Sequence, residues 1–322
     1  MNMICLGIES TAHTFGAGIV KDKEIISNEK SMYIPKKGSG IIPRDAAQHH
    51  VEESLNVLKS CLENANMNMD DIDAVAFSQG PGLPQCLRVG AVFSRALSLR
   101  YKKPLIGVNH CIAHIDVGKI STNSKDPVIL YLSGGNTQVI AFAEGRYRVF
   151  GETEDVPIGN ALDMLARSFG LSMPGGIHIE ELAKKGKYVE LPYVVKGMDL
   201  SFSGLATEAI KKYKQGISKE DVSYSFQETC FAMLTEVTER AMAHTDKEEV
   251  LLVGGVAANK RLQEMLRTMC DERGAKLFVV PKEYSGDNGS MIAVSGILHN
   301  NPIQIENSSV KQKWRVDEVE IE

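Results

Sequence analysis

His110 and His114 stand four residues apart in the segment Val108-Asn109-His110-Cys111-Ile112-Ala113-His114. On a helix that spacing puts both imidazoles on one face, about one turn apart. Two imidazoles so placed can clamp one transition-metal ion. The same spacing also suits two partly buried histidines satisfied by backbone groups, and spacing alone does not choose. One metal reading is excluded. The zinc-protease motif needs a Glu directly after the first His as general base, and Cys111 occupies that position. Cys111 is not expected as a third ligand, because the next residue on a helix is rotated about 100° off the face. A third ligand must come from elsewhere in the chain.

The elements that would position the pair follow from periodicity. Strands are predicted over 3–8, 15–20 and 24–31, the last two joined by a Lys21-Asp22-Lys23 turn. A helix over 46–62 follows, with His50, Val51, Leu55, Leu58 and Leu62 near helical spacing and Asp45 as its cap. Then come a strand over 72–78, a helix over 84–100 and a strand over 104–108, which delivers the chain to His110. The second half repeats this pattern. A three-strand meander over 128–133, 137–143 and 147–151 precedes helices over 157–169, 177–185, 205–213 and 219–244. A strand over 250–253, a helix over 257–273, a strand over 276–280 and a helix over 286–299 complete it. A duplicated unit of this kind makes an α/β protein with the duplicated actin-like ATPase plan, shared by sugar kinases, in which nucleotide and metal occupy a cleft between two lobes. The expected division is 1–125 for the first lobe, with a tail 301–322 packing back on it. The second lobe is 126–300, with a helical insertion at about 155–245.

Four glycine-rich turns punctuate these elements. Gly7-Ile8-Glu9-Ser10-Thr11 and Ser133-Gly134-Gly135-Asn136-Thr137 occupy matched places in the two repeats, where a glycine N–H can reach a phosphate oxygen directly. Gly254-Gly255-Val256-Ala257-Ala258-Asn259 ends a strand and opens a helix, which suits an adenosine or ribose. Gly80-Pro81-Gly82-Leu83 ends a strand of the first repeat. Glycine also marks ordinary hairpins, so it is the matched placement that favours a nucleotide. No GxxxxGK[ST] sequence is present, which excludes a P-loop enzyme.

Composition sets outer bounds. The 322 residues are 43% hydrophobic and 24% charged, those of a soluble globular protein with room for two domains. No run of 18 apolar residues predicts a membrane span, and the first residues lack a basic leader, so the expected location is cytoplasmic. Six scattered cysteines without a CxxC pair fit a reducing compartment and buried, apolar roles. The net charge of −5 argues against tight unaided binding to nucleic acid. Local basic clusters at Lys102–Lys103, Lys184–Lys187, Lys211–Lys214 and Lys260–Arg261 read singly as solvated helix faces and ends.

Taken in order, the motifs resemble the universal tRNA threonylcarbamoyladenosine synthase family (TsaD type), in particular the archaeal and eukaryotic branch that is the catalytic subunit of the KEOPS complex. The stretches that carry the resemblance run nearly end to end. They include residues 7–13, 42–50 and 80–90, the His110/His114 motif, residues 131–138 and 158–163, Pro174-Gly175-Gly176, residues 199–205 and 254–259, Asp287-Asn288-Gly289 and the closing 314–319. Departures are mild: Ser10 follows Glu9 where the family usually has Gly or Thr, Arg44-Asp45 stands for Arg-Glu, and Leu83-Pro84-Gln85 replaces a Gly-Pro pair.

The resemblance implies transfer of a threonylcarbamoyl group from threonylcarbamoyl-adenylate to N6 of the adenosine beside the anticodon of ANN-decoding tRNAs, with release of AMP. It implies metal ligation by His110, His114 and Asp287, with Tyr131 as a further or ligand-dependent contact. This donor set suits Fe(II) or Zn(II). Nucleotide contacts, to threonylcarbamoyl-AMP or ATP, are implied at Tyr131, Leu132, Ser133, Gly134, Gly135, Asp163, Gly176, Glu180 and Asn259, with Asp163 and Glu180 on ribose hydroxyls. Glu9 and His13 are expected near the acceptor as catalytic groups. With no Ser–His–Asp or Cys–His set evident, direct attack without a covalent enzyme intermediate is expected. The implied partners are tRNA, a small atypical protein kinase or ATPase expected as a separate chain, and a dimerisation subunit; no membrane is implied. The alternative is an actin-fold ATPase or sugar kinase, which would turn over ATP without a histidine metal site.

Overall fold

A computed structural model describes residues 3–36 and 39–320. The outermost residues of the predicted first lobe and tail, 1–2 and 321–322, lie outside them. The chain begins with the strands β1 (Ile4–Glu9), β2 (Thr14–Lys21) and β3 (Glu24–Met32). It continues through α1 (Pro43–Ala65), β4 (Ala74–Gly80), α2 (Pro84–Tyr101), β5 (Leu105–Asn109) and α3 (His110–Thr122). A second meander, β6 (Val128–Leu132), β7 (Thr137–Ala143) and β8 (Arg146–Glu152), precedes α4 (Ile158–Ser168) and α5 (Gly175–Ala183). A short hairpin, β9 (Val195–Lys196) and β10 (Asp199–Leu200), leads to α6 (Ser203–Lys214) and the long α7 (Lys219–Thr245). Then follow β11 (Glu249–Val253), α8 (Lys260–Glu272), β12 (Lys276–Val279), α9 (Lys282–Ser285), α10 (Gly289–His299) and β13 (Pro302–Ile303).

Two compact units result. One holds residues 3–35, 40–121 and 286–320, the other 122–285 with 36 and 39. The first unit thus takes in α10 as well as the tail, although the repeat pattern placed 286–299 in the second lobe. The reason is packing. Gly7, Gly16 and Gly18 of β1 and β2 leave no room for a Cβ: at Gly18 it would lie 2.2 Å from Ser290 N, and at Gly7 2.3 Å from Ala293 N. The helix α10 lies directly on the backbone of these strands. Gly7 is therefore a helix-packing residue.

The first sheet has the order β13-β5-β4-β1-β2-β3, and the second β12-β11-β6-β7-β8. In each, the meander is antiparallel and the two strands beyond its first member are parallel to it. The five-strand order is the same, so the duplication read from the sequence is real. β13, antiparallel to β5, is an addition the sequence did not announce.

Side chains alternate across the first sheet. Gly7 and Gly16 face α10, while Ile8 and Phe15 face the other side, where Phe15 meets His50 of α1 and Phe93 of α2 edge-on at 5.6 Å each. Leu6, Ile8, Phe15, Ile19, Val57, Leu58, Val75 and Phe77 form that unit's core. On α1 the buried face is Ala46, His50, Ser54, Val57, Leu58 and Cys61. Val51 and Leu55, predicted to share it, are exposed, because the stripe runs through 50, 54, 57/58 and 61. Asp45 is not the cap of α1: Ile42 occupies that place, Pro43 starts the helix, and Asp45 sits in its first turn.

Candidate metal centre

β5 ends at Asn109 and α3 starts at His110, so the helix opens on the histidine pair. Asn109 is the N-cap residue: its Oδ1 accepts from the backbone N–H of Cys111 at 2.9 Å and of Ile112 at 3.2 Å. The two imidazoles share a face as predicted, with centroids 4.8 Å apart and planes at 87°. Cys111 is buried, as are the other five cysteines, and none of the six is in a disulfide.

Asp287 comes to this pair from the residue before Asn288, the N-cap of α10, whose Oδ1 accepts from Met291 N at 3.0 Å. Its Oδ1 lies 3.3 Å from His114 Nε2 and 3.5 Å from His110 Nε2. Candidate ligand atoms of all three residues lie within 4.8 Å of one another, the one such group found among the described residues. All three belong to the first unit. The carboxylate is thus no contribution from the second lobe; α10 carries it back to the sheet that holds the histidines.

Glu9, at the end of β1, is fully buried. Its Oε2 accepts from His110 Nδ1 at 3.0 Å, and its Oε1 accepts from Thr11 N at 2.6 Å and Thr11 Oγ1 at 2.5 Å. A metal-binding histidine commonly rests its second ring nitrogen on a carboxylate, which fixes ring orientation and raises its basicity. With Nδ1–H donated to Glu9, Nε2 is the nitrogen left for an ion. Two imidazole nitrogens and a carboxylate oxygen therefore fit a divalent transition metal. Glu9, expected near the acceptor, has both its oxygens engaged inside the fold, on His110 and on Thr11.

The charges agree with this layout. Burial pushes the pKa of His110 down, but the Glu9 charge and hydrogen bond, with Asp287 beyond, outweigh it and raise it to about 9. Burial lowers the pKa of His114, and its bond to Asp287 only partly offsets that. Burial would raise Asp287, but the His114 bond and the neighbouring imidazoles hold it well below the usual carboxylate range. His13, half-buried on the loop after β1, contributes charge to Asp287 as well.

The residues predicted for a nucleotide gather in the second unit. Tyr131 and Leu132 are fully buried in β6, while Gly134 and Gly135 are exposed with no atom within 4 Å of a would-be Cβ. Ser133 Oγ accepts from the N–H of Gly135 at 3.3 Å and Asn136 at 3.0 Å, which shapes that loop. Gly159, at the start of α4, lies against it: its Cβ would meet Ser133 O at 2.6 Å. Asp163 Oδ1 accepts from Gly175 N at 2.6 Å, and Glu180 Oε1 from Lys260 N at 2.8 Å. Gly176 has only Leu162 Cδ1, at 3.6 Å, near a would-be Cβ. Gly254, with φ +92°, backs onto Leu132, while Gly255 is open. Asn259 caps α8, accepting from Leu262 N at 3.2 Å, and donates to Gln227 Oε1 at 3.0 Å. The predicted helix start at 257 is therefore replaced by a 3-10 turn over Gly255–Ala258, and α8 begins at Lys260.

Comparison with known proteins decides the family. The model for tRNA N6-adenosine threonylcarbamoyltransferase matches residues 23–294. The chain belongs to that family. The Archaeoglobus fulgidus tRNA N6-adenosine threonylcarbamoyltransferase is 58% identical over 323 residues, covering 99% of each chain. The Thermococcus sibiricus one is 58% identical over 324 residues, again 99% of each. Among solved structures, Thermococcus kodakarensis HypF superposes with a TM-score of 0.65 at 16% identity, over 92% of this chain and 47% of that one. The activator of 2-hydroxyisocaproyl-CoA dehydratase from Clostridium difficile gives 0.56 at 12%, over 92% and 94%. These two likenesses show the duplicated actin-like fold of the family and nothing of its chemistry. No helix of the described residues is long and apolar enough to cross a membrane.

Proposed function

We propose that this chain is a tRNA N6-adenosine threonylcarbamoyltransferase, an acyltransferase acting on the adenosine beside the anticodon of ANN-decoding tRNAs. Family membership over nearly the whole length supports the reaction class, and the His110–His114–Asp287 group, its imidazoles buried and Glu9 behind it, is the observation that carries the site. The donor is threonylcarbamoyl-adenylate. N6 attacks the carbamoyl carbon, the bond from that carbon to the phosphate oxygen breaks, AMP leaves, and N6 loses a proton.

His110, His114 and Asp287 would hold one divalent ion, Fe(II) or Zn(II). Bound there, the ion supplies Lewis acidity toward phosphate or carbamoyl oxygen. The chain's own groups do the rest. The exposed backbone of Gly134 and Gly135 suits phosphate oxygens. The carboxylates of Asp163 and Glu180 suit ribose hydroxyls, Gly176 leaves room for the base, and Asn259 sits beside it. With Glu9 engaged, His13 is the better placed of the two expected catalytic groups to take the N6 proton. The acidic total charge fits a division of labour in which partner subunits, including a small kinase-like ATPase and a dimerisation subunit, grip the tRNA in the cytoplasm.

The test is mass spectrometry of tRNA nucleosides after incubation with threonylcarbamoyl-adenylate, with and without partner subunits. Threonylcarbamoyladenosine should form in the complete mixture. ATP turnover on a small hydroxylated substrate, with unmodified tRNA, would favour the sugar-kinase alternative instead.

A further inference from the structure

The tail beyond α10 has no part in the chemistry above, yet it is bonded to the first unit at several points. Ser308 is fully buried; its Oγ accepts from Arg95 Nε at 2.6 Å, and its carbonyl accepts from Arg95 Nη2. Gln79 Nε2 donates to the carbonyls of Asn307 at 3.1 Å and Ser309 at 2.8 Å, while Lys311 N donates to Gln79 O at 2.8 Å. The Lys311 ammonium lies 4.0 Å from the Trp314 ring centroid, which closes the segment on itself.

Two further contacts of the tail lead to His110. The first runs through its helix. Asn109 Nδ2 donates to the Trp314 carbonyl at 3.2 Å, and the same amide's Oδ1 caps α3. A buried amide keeps one orientation only when both its ends are satisfied. The second runs through its carboxylate. Lys311 O would lie 1.9 Å from a Cβ at Gly80, so the tail presses on the Gly80–Gly82 turn. That turn in turn packs on Thr11, with a would-be Cβ of Gly82 2.6 Å from Thr11 O and Leu83 N donating to that oxygen at 2.8 Å. Thr11 holds Glu9, and Glu9 holds His110.

We propose that residues 307–314 form a positioning strap for the metal centre. It fixes the Asn109 amide on one side of His110 and the Thr11–Glu9 pair on the other, and so sets how tightly the centre holds its ion. None of the strap residues is a ligand. The inference rests on the metal reading above.

The test uses the full chain with Co(II) as probe, and compares Asn109→Asp, Arg95→Ala and Arg95→Lys with the unaltered protein. Asn109→Asp keeps an oxygen for the cap but turns the donor facing Trp314 O into an acceptor. Arg95 is on α2, and its guanidinium donates to the strap at Ser308. Supporting residues around a metal commonly set affinity by about 10–100-fold, so Asn109→Asp should weaken Co(II) binding about tenfold or more. Arg95→Ala should weaken it several-fold, each with an altered visible spectrum of the bound cobalt, and Arg95→Lys should recover most of the loss. Should Asn109→Asp fail to fold, the two Arg95 variants decide alone. A lowered melting temperature with unchanged cobalt affinity and spectrum would make the strap a mere brace and overturn the inference, leaving the metal reading intact. Failure of the unaltered chain to take up Co(II) would overturn both.

Discussion

In the first unit the loop after the opening strand turns inward: Glu9 is buried, and its carboxylate joins Thr11 to His110. In the second unit the loop at the same point of the same strand order turns outward, with Gly134 and Gly135 exposed. Glycines differ in the same way. Those of β1 and β2 are filled by the backbone of α10, while those after β6 face open space. Duplication thus supplied two copies of one scaffold, and packing then gave them different work. One copy closes around a buried imidazole pair, and the other leaves its glycine backbone exposed.

The largest effect should come from the closed loop's client. His110→Ala or Asp287→Ala should cut tRNA modification by roughly a thousandfold, the several kcal/mol a bound ion gives a developing charge, with the melting curve little changed. Substantial modification by either variant would remove the metal from the reaction. Glycine substitutions test the comparison next. Gly18→Ala puts a Cβ 2.2 Å from Ser290 N and should cost about 1–3 kcal/mol or more in urea unfolding. Gly135→Ala should change stability by less than about 0.5 kcal/mol while weakening adenine-nucleotide binding. Equal destabilisation by both would erase the distinction between the two loops.

Glu9→Gln should follow, with metal affinity lowered about 10–100-fold in a competition titration, because His110 loses its charged rest. The same pairing predicts a dependence on pH. His110 is raised from 6.5 to about 9, so at neutral pH the metal-free protein holds it protonated, and an ion must displace that proton. Metal affinity should therefore climb about tenfold per pH unit from 7 toward 9 and then flatten. By the same sign, the stability that protonated His110 gives the metal-free chain is complete below pH 6.5 and lost as pH rises through about 9. A flat affinity profile over that range would contradict the Glu9–His110 pairing.

Much of this is legible in the residues. The order of elements and the histidine pair follow from local periodicity, which a helix or strand obeys wherever it packs. Asp287 is visible only through family resemblance, because its place depends on α10 lying on three glycines far away in sequence. Glu9 stands out in the sequence, but no spacing reveals that Thr11 and His110 take both its oxygens. Val51 and Leu55 read as core because an apolar stripe looks alike whether it faces a sheet or solvent. The sequence announces that the tail packs back on the first lobe but not what it touches there, because backbone carbonyls hold much of it, and every residue has one.

The most direct test is the metal content of the purified chain beside His114→Ala and Asp287→Ala, each dialysed against trace chelator. One equivalent of Fe or Zn in the unaltered chain and none in either variant is the predicted result. A full equivalent retained by both variants would show that the ion, if any, is held elsewhere.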